Sequence, residues 1–193
     1  MDLDRARAAV LSLDMQAGVV SVYVKDAALT GRAADVLRAA REVGVRVVHV
    51  KVAFRPGVPE ASPHNAFLSA VKASAPHQRF FQGESGAIHP DVAPSGDDLV
   101  VTKNRVSAFA GTDLDLLLRA HDIHTLIVFG IATSGAVLST ALHAADADYR
   151  VVVVKDCCAD LDEAVHACLL ETILPRQATV ISADDALLLL GGR

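Results

Sequence analysis

Six short apolar runs recur along the chain, at residues 7–13, 45–53, 99–103, 126–129, 149–155 and 178–181. They are rich in Val, Ile and Leu and too short for helices, so each predicts a buried strand. Between them the apolar spacing changes to three and four residues. Ala33, Val36, Leu37 and Ala40 mark one face of a helix over 30–43, with Gly44 as its stop. Helices are also predicted after Thr112, through Leu114, Leu117 and Leu118, and after Thr133 or Ser134, through Val137, Leu138, Ala141 and Leu142. Two more cover 161–174 and 183–190. Strands alternating with helices predict an α/β fold with a parallel sheet covered on both faces by right-handed crossovers.

Two places depart from this rhythm. In the second strand, His49 and Lys51 alternate with valines, which predicts one wet face near its end. Residues 54–98 carry six of the seven prolines and no strand pattern. A segment this long between core elements reads as a lid or binding loop, with short helical turns around 65–72.

Composition narrows the class. With 193 residues and 52% of them apolar, the chain is long enough for one globular domain, taken as 1–193. The apolar runs are too short to span a bilayer, and the first residues lack the apolar core of a signal peptide. The expected location is the cytoplasm. Three cysteines make a disulfide framework implausible. A formal charge of −5, no basic cluster and few aromatic residues argue against nucleic acid and leave a small molecule as the expected partner.

Chemistry is expected at the carboxyl ends of the strands, where open parallel sheets bind ligands. Asp14 ends the first strand, ahead of a loop at 15–18, and Lys103 ends the third. Together they form an acid/base and its electrostatic partner; singly, each also fits a turn cap or a solvated handle. The fourth strand runs through Gly130 into a helix start at Thr133, Ser134 and Gly135, which favours negative charge and close approach of a substrate to the backbone. The best place for a reactive side chain there holds Ala136. Cys157 and Cys158 follow the fifth strand and suit either apolar packing or a thiol reaching the site; Cys168, inside a helix, reads as core. His64, His77 and His89 have no metal-ligand spacing. Arg55, Gln78, Arg79 and above all Arg105 are candidate carboxylate binders, with surface ion pairing as the other reading.

These pieces together resemble the isochorismatase-like, or cysteine hydrolase, superfamily over nearly the whole chain. The matching residues are Leu13-Asp14-Met15-Gln16, then 103–109 with Thr112 and Leu114, then Gly130 to Thr140, and Asp156-Cys-Cys-Ala159 after a valine run. The resemblance implies a single-domain three-layer α-β-α fold on a six-stranded, mainly parallel, Rossmann-like sheet. It implies a site of Asp14 and Lys103, with Gln16, Arg105, Thr133, Ser134 and Gly135 holding substrate, no cofactor, and a homo-oligomer. Amidase members add a nucleophilic Cys in the pattern Thr-x-x-Cys-Val; here the pattern reads Thr133-Ser-Gly-Ala136-Val137. The Asp-x-His metal pair of nicotinamidases is likewise missing from 51–57. Isochorismate hydrolases of the superfamily also lack the Cys and cleave a vinyl ether to pyruvate and an alcohol. The resemblance therefore implies a hydrolase of a small anionic metabolite acting without a thiol, or alternatively a member that has kept only a binding or structural role.

Overall fold

A computed structural model describes residues 2–191. Its centre is two strands that are buried on every residue, β1 (Ala8–Leu13) and β4 (Thr125–Ile131). Successive side chains of a strand point to opposite faces, so complete burial means that both faces are covered. Around this pair lie β2 (Arg46–Val52), β3 (Leu99–Lys103), β5 (Arg150–Ala159) and β6 (Thr179–Ile181). The order is β3-β2-β1-β4-β5-β6 and every pairing is parallel. The chain winds outward in both directions from β1, so the order reverses between β1 and β4. Crossovers there leave on opposite faces and open a crevice at the carboxyl edge. The edge strands look different. β6 has three residues, and β3 alternates exposed and buried positions.

Helix α2 (Leu29–Glu42) buries Leu29, Ala33, Val36, Leu37 and Ala40 along one stripe and packs against β5 and α8 (Ala183–Leu190). The start of α8 is fixed by a capping box between Ser182 and Asp185. No helix is long and apolar enough to cross a membrane among the described residues.

Several expectations need correction. The stretch read as a loop at 15–18 leads at once into α1 (Ala17–Tyr23), whose first amides are held by the 54–98 segment: Ala17 N–H donates to Ala87 O and Gly18 N–H to Ser85 O, each at 2.9 Å. His49 does not face water. It is 1% exposed and bonded to Asp98, which also accepts from Arg41 of α2. Burial lowers the His49 pKa, against the pull of that aspartate. The helix predicted at 161–174 is shorter and broken. It comprises α7 (Glu163–Cys168), capped by Asp162, then a wider turn Leu169–Ile173 and a tight turn Leu174–Arg176 around Pro175, which cannot continue the helical bonding. The 54–98 segment holds α3 (Ala66–Ala73), capped by Asn65, and α4 (Ala75–Arg79). Between β3 and β4, α5 runs Leu114–Ala120, and the Thr112 hydroxyl accepts from Leu114 N–H at its start.

β5 is also longer than the sequence pattern indicated. Val128 pairs with Val153 but Gly130 pairs with Cys158, so β5 bulges outward between these points. The bulge frees Asp156 to cap α8 through Ala183 N–H and its carbonyl to accept from Arg32 of α2.

Candidate functional site

At the end of β1 the backbone turns sharply. Asp14 adopts φ +54°, a left-handed conformation that aspartate tolerates better than most residues, and its N–H donates to Val50 O at 2.9 Å. Beside it, Gly130 has φ +138°, and a Cβ there would overlap the Leu13 carbonyl oxygen. Only glycine lets β4 run this close to the end of β1. The β4 strand then passes through a cis Ile131–Ala132 peptide into a wide helical turn, Thr133–Val137, that precedes α6 (Leu138–Asp146).

Lys103, at the end of β3, reaches across β2 to this point. Its Nζ lies 2.9 Å from Asp14 Oδ2 and donates to Val106 O at 2.6 Å. The ammonium is almost wholly enclosed, with its side chain 1% exposed. Asp14 Oδ1, also buried, has no partner. Burial pushes the Asp14 carboxyl up from 3.8 to about 6, against the lowering effect of the Lys103 charge and hydrogen bond. Desolvation outweighs the lysine in setting the direction of the shift.

The turn at 133–137 is held differently from the prediction. Neither Thr133 nor Ser134 caps it. Thr133 is fully buried, and its hydroxyl contacts Ala159 O at 3.2 Å and His166 Nδ1 at 2.8 Å. The Ser134 N–H donates to Asp160 Oδ2 at 2.7 Å, so a carboxylate from the end of β5 caps the turn. Burial opposes ionisation of Asp160, but its bonds from Ser134 and Leu161 outweigh that and hold it below the usual range. Gly135 and Val137 N–H groups both return to Ala132 O. The amides of Ala132 and Thr133 have no partner among the described residues. Ala136 is buried on the inside of the turn. Val106, whose carbonyl holds Lys103, sits beside Gly135: its Cγ1 lies 3.9 Å from where a Cβ would stand.

Gln16 is not free for a substrate. It is 0% exposed, its Nε2 donates to Val52 O and Gly86 O, and its Oε1 accepts from Val52 N–H at 2.7 Å. It ties the start of α1 to the end of β2 and to the 54–98 segment. Arg105 is half-buried, donates to Asn104 O and makes no ion pair among the described residues. Arg55 is engaged by Glu60.

The isochorismatase domain model matches residues 8–185. This chain belongs to the isochorismatase family. Maleamate amidohydrolase of Pseudomonas putida is 30% identical over 158 residues, covering 81% of this chain and 71% of that protein. An uncharacterized isochorismatase family protein of Bacillus subtilis, YwoC, is 28% identical over 183 residues, covering 91% and 90%. Among solved structures, an isochorismatase family protein from Burkholderia thailandensis superposes with a TM-score of 0.86 at 30% identity, over 98% of this chain and 97% of that one. A cysteine hydrolase from Pseudomonas syringae pv. phaseolicola gives 0.87 at 24% identity, covering 98% and 95%, a likeness of fold. The chain is thus an enzyme of the isochorismatase-like hydrolases, and its six-stranded parallel sheet is theirs.

In this isochorismatase-family chain the cysteines change position relative to expectation. Cys157 and Cys158 lie within β5, buried, not beyond it. Burial pushes both thiols up, that of Cys158 to about 12, so neither carries appreciable thiolate near neutral pH. Cys168, expected in the core, is exposed at the end of α7. No group of three His, Cys, Asp or Glu side chains that could hold a metal comes together among the described residues. Asp160 and His166 were missed by the sequence reading. An acid following the fifth strand was a weak signal for Asp160, and nothing in the spacing marked His166.

Proposed function

We propose that the chain hydrolyses a small anionic metabolite by acid–base chemistry on Asp14, with Lys103 as electrostatic partner and no thiol nucleophile. The observation that carries this reading is Asp14 itself. It is an enclosed carboxyl with a pKa of about 6 and one oxygen free of any partner, beside a fixed ammonium. Such a group holds its proton in part near neutrality and can both give and take one. Ala136, standing where the resemblance puts the amidase Cys, cannot form a covalent intermediate.

For a vinyl ether the steps balance without a nucleophilic side chain. Asp14 gives its proton to the alkene carbon, leaving an oxocarbenium ion. Water adds to that cation and returns a proton to Asp14, and the hemiketal collapses to a ketone and an alcohol. Lys103 limits the cost of the aspartate formed in between. The free Ala132 and Thr133 amides and the unpaired Arg105 supply donors for a substrate anion.

The alternative is a member that keeps the pocket for binding without turnover. A broad screen of hydrolase substrates with Asp14→Asn as the blank separates the two. The acid–base reading expects a turnover that falls by roughly 100-fold or more in Asp14→Asn, the usual scale for a general acid. A turnover unaffected by that substitution refutes it.

The protein is also proposed to act as a dimer or larger even-numbered oligomer. Phe67 on α3, at 57% exposure, and Leu188 on α8, at 66%, support this as apolar groups left on the lid and the last helix. Light scattering at micromolar concentration should give a mass above 20.2 kDa; a single species of that mass refutes it.

A further inference from the structure

The hydrogen bonding of Thr133 bears on the tautomer of a histidine. Thr133 Oγ1 lies within bonding distance of two atoms, the Ala159 carbonyl oxygen and His166 Nδ1. A hydroxyl has one proton. The Ala159 oxygen can only accept, so Thr133 donates to it. The 2.8 Å contact to His166 is then a hydrogen bond only if Nδ1 carries a proton and donates to Thr133. The reverse arrangement, with Thr133 donating to His166, requires the proton on Nε2 instead, and the two tautomers are distinguishable by experiment.

The assignment reaches the reaction site. Thr133 opens the turn that follows β4, and Ala159 ends β5. The Thr133–Ala159 bond therefore ties the turn to the neighbouring strand at one point, and the Ser134–Asp160 bond ties it one residue later. Between them they hold the turn that leaves the Ala132 and Thr133 amides unpaired at the carboxyl edge. His166 reaches this turn from α7, a separate element, and is half-buried against it.

We infer that His166 is a positioning residue: as its Nδ1–H tautomer it donates to Thr133 Oγ1, commits the threonine proton to Ala159 O, and so holds the 133–137 turn, with the free amides at its start, at the site edge. The reason for wanting free amides rests on the acid–base reading above. The positioning claim does not, because it concerns which nitrogen carries a proton.

The test uses the whole protein and needs no substrate. Long-range proton–nitrogen NMR correlations of the imidazole rings distinguish the tautomers, with His166→Asn identifying the resonance. Neutral His166 is expected with its proton on Nδ1. In Thr133→Val, which removes the acceptor, the proton should shift to Nε2; in Thr133→Ser it should remain on Nδ1. Amide exchange gives a second readout. In His166→Ala, exchange at Gly135 and Val137 should rise by roughly 3- to 10-fold, the scale of one net hydrogen bond. Exchange in β2 should not change. His166→Asn, whose side-chain amide can donate in place of Nδ1, should restore most of the protection. An Nε2–H tautomer in the native protein, or equal exchange at Gly135 and Val137 with and without the imidazole, overturns the proposal. Either result leaves the Asp14 reading standing, and an enzyme without Asp14-dependent turnover can still pass this test.

Discussion

Replacing Lys103 with methionine isolates the balance that sets the acidity of Asp14. In the native protein, burial raises the carboxyl from 3.8 to about 6, while the ammonium at 2.9 Å holds it down. A unit charge at that distance interacts by on the order of 5 kcal/mol at an effective dielectric near 20. Part of this is offset by desolvation of the lysine, and an adjacent opposite charge typically moves a carboxyl by roughly one to three units. Lys103→Met keeps the apolar stem and removes the charge, so Asp14 should titrate somewhere from about 7 to 9. The assay is carbon-13 NMR of the aspartate carboxyls, with Asp14→Asn assigning the signal.

Stability gives an independent check. A carboxyl whose folded pKa exceeds its unfolded value favours folding while protonated. In the native protein this contribution is fully present below pH 3.8 and is lost as pH rises to about 6, a change on the order of 3 kcal/mol. In Lys103→Met the loss still begins near pH 3.8 but extends upward to the new folded pKa. Stability in urea should fall between pH 7 and 9 by up to ~1.4 kcal/mol per pH unit, over a range where Asp14 contributes no slope in the native protein. An Asp14 pKa that stays near 6, or falls, in Lys103→Met would show that the lysine does not hold it down, and the acid–base assignment would lose its electrostatic partner.

Two further outcomes follow from the site. Turnover should survive iodoacetamide, because Cys157 and Cys158 are buried with raised pKa values and the exposed Cys168 lies at the far end of α7. Peptide mapping should find label on Cys168, and Ala136→Cys should add label at position 136; loss of native turnover on labelling Cys157 or Cys158 contradicts the thiol-free mechanism. Gln16→Leu should destabilise the fold by about 3–5 kcal/mol, because its amide makes bonds to Val52 and Gly86 that the variant leaves without partners. For a chain of this length the melting point should drop by roughly 6–20 °C in calorimetry; a drop within 2 °C would mean that Gln16 does not tether the 54–98 segment.

Much of this protein was determined by residue order. Strands β1 and β4 lie in the middle of a parallel sheet, so both of their faces are apolar, and a continuous apolar run is visible without coordinates. Helix α2 announces itself by one apolar stripe, whereas the Ser182–Asp185 cap that starts α8 emerged with the structure. Asp14 and Lys103 were legible as candidates because strand ends are where a parallel sheet presents side chains. Ala136 was legible because the surrounding motif is local. What tertiary structure decided involves groups brought together from distant positions. The pairing of Asp14 with Lys103 spans β2, and which of burial and charge controls the carboxyl depends on packing from all sides. His49 looked like a polar residue on a wet strand face; a buried aspartate and an arginine from another helix satisfy it instead. Gln16 looked like a substrate ligand, but its amide fits two carbonyls and an N–H that meet only in the fold. The turn at Thr133 seemed able to cap itself, yet Asp160 and His166, some thirty residues on, hold it. Hydrophobic period and local motif act over a few residues and survive in one dimension. Hydrogen-bond satisfaction and desolvation act between neighbours in space, and only the folded chain defines who those neighbours are.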